Sequence, residues 1–96
     1  MDGEMDSRFT QKQGQYLAFI HNYSVIHGRP PSEWDMERFF GTTPPTIHTM
    51  ILRLEEKGLL SRAPGQLRSI RVLVAAEQLP VLKAQQMKTR VVRSDW

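Results

Sequence analysis

The chain has no cysteine, which excludes disulfide staples and thiolate metal sites together. Its three histidines, His21, His27 and His48, stand at no spacing to acids that suggests a metal site. No apolar run approaches the ~20 residues that span a bilayer. Catalytic inventory is also thin. Gly65 stands alone in a turn, so no glycine-rich phosphate loop is present. Ser61 and Ser69 have no histidine or lysine arranged as a base, and Glu55-Glu56 reads as the solvated end of a helix. No enzyme activity, cofactor, metal or small-molecule substrate is expected. Acid is scarce in one half. From Lys57 to Trp96 only Glu77 and Asp95 oppose Lys57, Arg62, Arg68, Arg71, Lys83, Lys88, Arg90 and Arg93, a net of +6 in a chain whose total is +3. That asymmetry suits a polyanionic partner, with a merely solvated basic surface as the alternative.

What remains is an ordinary composition, 40% hydrophobic and 24% charged over 96 residues, enough for one domain with one modest core. Met1 to Ser7 carries Asp2, Glu4 and Asp6, the opposite of a basic signal-peptide start. Residues 1–8 are read as a disordered leader, and the cytoplasm as the location.

Local signals place the elements. Thr10-Gln11-Lys12-Gln13 is a capping box, and Tyr16, Leu17, Ile20 and Tyr23 follow at helical spacing beside Phe19. Gly28 and Pro30-Pro31 stop this helix, which spans 10–27. Ser32 caps a second, short helix with Met36 and Phe40 inward and Gly41 at its end. Thr43 is the expected cap of a third helix, with Pro44 in its first position. There Ile47, Ile51 and Leu54 recur as a core-facing row before Gly58. Leu59 to Ala63 reads as a strand, Pro64-Gly65-Gln66 as a turn, and Leu67 to Val74 as a returning strand. The expected fold is mostly α with a small β-hairpin: a winged helix-turn-helix of three helices plus a two-stranded wing, over residues 9–74. Residues 75–96 form a C-terminal extension, partly helical or disordered, with short helices expected over 75–78 and 81–88. Trp34, Phe39 and Leu52 fall on solvent-facing positions, with Val91, Val92 and Trp96 in the tail. Either the tail packs on those apolar residues or a homodimer covers them.

The stretches TQKQGQYLAFI, GRPPS, GTTPPTIHTMILRLEEKGLL and PGQLRSIRVLV resemble the N-terminal DNA-binding domain of the LexA family of bacterial repressors. The phrase from Leu54 to Leu60 is common among winged-helix regulators. Gly28-Arg29-Pro30-Pro31-Ser32 followed by Arg68-Ser69-Ile70-Arg71 narrows the likeness to LexA-like domains. Two departures stand out. The turn before the third helix is one residue shorter than the family pattern. The family also continues into a self-cleaving Ser/Lys peptidase domain, whose cleavage site and catalytic pair have no counterpart in these residues. The resemblance implies sequence-specific binding of double-stranded DNA by a transcriptional repressor without self-cleavage.

In such motifs the third helix enters the major groove while the second braces the backbone. Family contacts carried by position fall on Thr43, Pro45, Thr46, His48 and Thr49. Thr43 serves as an N-cap, a phosphate contact, or both. A thymine methyl suits Thr46, and a guanine acceptor suits His48. Arg53 lies deeper in the helix and is expected on phosphate. The wing, Pro64 to Arg68 with Arg62 and Arg71 beside it, is expected on the backbone or in the minor groove. Two other functions fit the fold. One is a winged-helix protein–protein interaction module, which tolerates acids and apolar patches on the third helix. The other is an RNA-binding or plasmid-replication winged helix.

Overall fold

The computed structural model describes residues 8–83; the expectations for residues 1–7 and 84–96 lie outside them. Three helices come first: α1 (Gln11–His27), α2 (Glu33–Phe40) and α3 (Pro44–Glu56). The strands β1 (Leu60–Ser61) and β2 (Arg71–Val72) then pair antiparallel, with Leu60 opposite Val72 and Ser61 opposite Arg71. A 3₁₀ turn, Ala76–Gln78, follows. This is the mostly helical winged helix-turn-helix expected from the sequence.

The helix starts are local chemistry. At α1 the Thr10 hydroxyl accepts from the Gln13 amide at 3.0 Å, and the Gln13 side chain accepts from the Thr10 amide at 3.1 Å. At α2 Asp35 donates its amide to the Ser32 hydroxyl at 3.1 Å and accepts the Ser32 amide at 2.9 Å. Gly28 and Gly41, both left-handed, close these two helices. At α3 the expected side-chain cap is not made. A cap hydroxyl accepts from the second or third amide of the helix; Pro45 removes the second, and the third, that of Thr46, is not engaged. Thr43 is the flanking residue, extended as a residue before proline prefers. Its hydroxyl pairs instead with that of Thr46, 2.9 Å away.

The core lies where α1 crosses α2 and α3. Ile47, Ile51 and Leu54 are completely buried, as are Leu17 and Met36. Tyr16 stacks flat on Phe40 with ring centroids 4.1 Å apart. Phe39, expected in solvent, is half-buried against Phe19 at 4.5 Å. Phe9 belongs to the core too, although it precedes α1. Its ring passes over Gly14, where an added Cβ would stand 3.0 Å from the Phe9 ring and 3.1 Å from Pro80. A side chain at position 14 would therefore hold both flanking segments off the helix.

After the wing the chain returns to α1. The Gln15 side chain donates to the Val81 carbonyl at 2.9 Å and accepts from the Lys83 amide at 2.8 Å, gripping that backbone as a neighbouring strand would. Val81–Lys83 carries no regular secondary structure where a helix was expected. Both strands are shorter than the sequence suggests. Arg68 takes a left-handed backbone (φ 56°), which breaks the extended run from Leu67. The Ser69 hydroxyl takes over part of the ladder, accepting the Ala63 amide at 2.9 Å and donating toward the Ala63 and Gln66 carbonyls at 3.2 and 3.1 Å.

Candidate nucleic-acid interface

Burying Ile47, Ile51 and Leu54 fixes the rotation of α3, and the rest follows from 3.6 residues per turn. Thr43, Pro45, Thr46, His48, Thr49 and Arg53 are all exposed on the outward face. No acid occurs between Thr43 and Arg53. Arg53 has no ion-pair partner among the described residues. Leu52, 39% exposed, adds apolar surface beside it. At the far end Lys57 ties α3 back to α1, donating to the Gln13 side chain at 2.8 Å and the Arg8 carbonyl at 3.0 Å. Helix and core thus present six polar or compact side chains on a rigid support.

His48 is the one member of this row with a charged neighbour, its Nδ1 lying 3.8 Å from a carboxylate oxygen of Glu33. Glu33 opens α2, so the brace helix supplies an acceptor beside the reading face. At this separation the contact is electrostatic rather than a hydrogen bond.

The wing arginines are arranged differently from one another. Arg71 is exposed and unpaired among the described residues. Arg62 donates to Glu55, on the last turn of α3, at 3.2 Å. Arg68, expected to face a phosphate, turns its guanidinium inward. One terminal nitrogen donates to Asp35 at 3.0 Å, to the Tyr23 hydroxyl at 3.2 Å and to the Pro30 carbonyl at 3.3 Å. Asp35 is the same carboxylate that completes the α2 capping box. Burial pushes its pKa up, but hydrogen bonds from the Ser32 backbone and hydroxyl, Tyr23 and the Arg68 charge outweigh this and hold it below the usual value. One guanidinium therefore ties the wing to α1, to the turn after it and to the cap of α2. Sequence reasoning placed Arg68 on the outer surface because its partners are 33 to 45 residues away. The left-handed backbone that aims it inward has no signal in a non-glycine residue.

The structure thus gathers Thr43, Pro45, Thr46, His48, Thr49 and Arg53 on one face and leaves Arg71 open. It joins Arg62 and Arg68 to carboxylates. Among the described residues no group of three His, Asp or Glu side chains is placed to hold a metal ion, and no helix is long and apolar enough to cross a membrane.

Comparison with known proteins bears on this face. The LexA DNA binding domain family matches residues 6–69, a stretch holding all three helices and the wing turn. A LexA repressor of Thermosipho melanesiensis is 36% identical over 72 residues, covering 75% of this chain and 36% of that protein. One of Pseudothermotoga lettingae is 39% identical over 80 residues, covering 81% and 40%. One of Bacillus licheniformis is 30% identical over 87 residues, covering 90% and 42%. The chain spans about two-fifths of the length of the relatives it matches.

Proposed function

Because the chain belongs to the LexA DNA-binding domain family, which matches it over residues 6–69, we propose that it binds double-stranded DNA in a sequence-dependent manner and represses transcription in the cytoplasm. The observation that carries this is the outward face of α3. Six adjacent exposed positions hold hydroxyls, an imidazole, a guanidinium and a proline ring, with no acid among them.

Seated in the major groove, such a helix offers base-edge donors from Thr46, His48 and Thr49 near its N-terminal end. Thr43 and Arg53 then meet the flanking phosphates, and Arg71 extends the basic contact onto the wing strand. Arg68 is assigned a supporting part, since its guanidinium is already shared among three acceptors. Two copies on half-sites about one helical turn apart give the usual arrangement for this motif, and the chain is expected to act as such a pair. Trp34, 59% exposed with the Arg38 guanidinium 4.7 Å above its ring, is open to a second chain.

The test is fluorescence anisotropy with a pool of random duplex DNA at about 50 and 200 mM salt, where a phosphate-anchored protein weakens steeply. An Arg53→Ala, Arg71→Ala double variant is expected to reduce the slope of log affinity against log salt by about two. Absence of wild-type binding at the lower salt rejects the reading in favour of a protein-interaction module.

A further inference from the structure

The turn of the wing carries no charge of its own. From Pro64 to Leu67 there is no ionisable side chain, Arg62 is drawn back to Glu55, and Arg68 is drawn in to Asp35, Tyr23 and Pro30. What stands out instead is Leu67, 86% exposed and the most exposed of the large hydrophobic side chains among the described residues. Its position is not loose. The Ser69 hydroxyl binds Ala63 and Gln66 across the turn, and the next residue is pinned by three hydrogen bonds. A rigid turn thus holds one leucine out in water, at a cost that a partner would recover.

We infer that Leu67 is an apolar wedge that enters the minor groove of DNA and makes the flanks of the binding site prefer A·T pairs. This rests on the DNA-binding reading above and specifies which groove the wing addresses and by what chemistry. The hairpin follows directly from α3, and Arg62 couples it to the last turn of that helix. With α3 in the major groove, a hairpin beside it meets the backbone and the adjacent minor groove. Minor-groove walls include deoxyribose C–H faces, and leucine is among the apolar side chains that enter that groove as wedges between base steps. The guanine 2-amino group is the one donor projecting into that groove, so it obstructs a wedge with no acceptor to offer. Exposed apolar residues elsewhere, Val25 and Ile26 at the end of α1 or Val81 in the C-terminal segment, lack this continuity with the reading face.

The experiment uses a duplex selected by the wild-type protein from a random pool. Each flanking A·T pair is replaced by G·C and separately by inosine·C, which has a G·C-like major groove but no 2-amino group. Wild-type affinity is expected to fall about tenfold for G·C at one or two flanking pairs and to recover with inosine. Leu67→Ser should bind the parent duplex about tenfold more weakly, lose that flank discrimination, and keep the wild-type salt slope. Its thermal midpoint should match wild type, since the side chain packs against little. A Leu67→Ser protein with unchanged affinity and flank preference overturns the wedge while leaving DNA binding intact. The same DNA result with altered self-association would assign Leu67 to a protein contact, which also overturns it. If the wild-type protein binds no duplex, the DNA-binding reading falls and the wedge falls with it.

Discussion

Along the outward face of α3, Thr46, Thr49 and Arg53 project into solvent, and only His48 has a charged neighbour. At the root of the wing, Arg68 makes three internal hydrogen bonds and Ser69 three more. Both regions are built from polar and basic residues, yet the first spends only the Thr43–Thr46 hydroxyl pair internally, whereas the second turns one guanidinium nitrogen and the Ser69 hydroxyl onto the protein's own groups. The difference teaches how to separate reading from support. A group whose donors are already satisfied inside the protein adds little to a new partner, because binding would exchange one set of bonds for another. A group in water with no internal partner can gain.

The comparison breaks first at Asp35, which serves both the α2 cap and the Arg68 clamp. Asp35→Ala is expected to lower unfolding free energy by about 2 kcal/mol in urea titration, since a cap and a charge-assisted bond go together. The same carboxylate gives the clamp a pH signature. Its folded pKa lies below the ordinary value of 3.8, so its contribution is complete above that value. It is lost as pH falls through the lower folded-state value. Acid unfolding of the wild type should therefore be steeper below about pH 4 than that of Asp35→Asn. A coincident pair of acid curves would show that Asp35 is not linked to folding.

Tyr23→Phe sharpens the contrast by removing one hydroxyl acceptor while keeping the ring against Phe19 and His27. The expected loss is about 1 kcal/mol by urea unfolding, with an unchanged salt slope for DNA. The smallest effect on folding belongs to the open face. Thr46→Ala should change stability by no more than about 0.5 kcal/mol. It should nevertheless alter the sequence preference recovered from a random duplex pool. A large stability loss there would mean that the Thr43–Thr46 hydroxyl pair supports α3 rather than being available to read.

The parts of this architecture that were legible in the sequence are those set by neighbours along the chain. Capping boxes at Thr10 and Ser32, glycines at 28 and 41, and the Ile47, Ile51, Leu54 row involve residues within one or two turns. Their physics does not depend on the rest of the fold. The open face of α3 was legible for the same reason, as the complement of that row. The clamp was not, because Tyr23, Pro30, Asp35 and Arg68 meet only once three elements have docked. Phe39 misled for a related reason. Its helical angle points away from the α2 core line, but the breadth of α1 brings Phe19 across to cover it. The fate of the Thr43 hydroxyl was not legible either, because it turns on a choice between the amide and the hydroxyl of the same residue, Thr46.

Gly14 has one more consequence. Phe9 and Pro80 both press on that single turn of α1, and the Arg8 guanidinium reaches the Gln78 side chain at 3.1 Å. The segment before α1 and the segment after the wing therefore share one support, a single turn of α1. Gly14→Ala is therefore expected to loosen both segments together. Limited proteolysis of that variant should cut near Phe9 and near Pro80 before it cuts within the three helices.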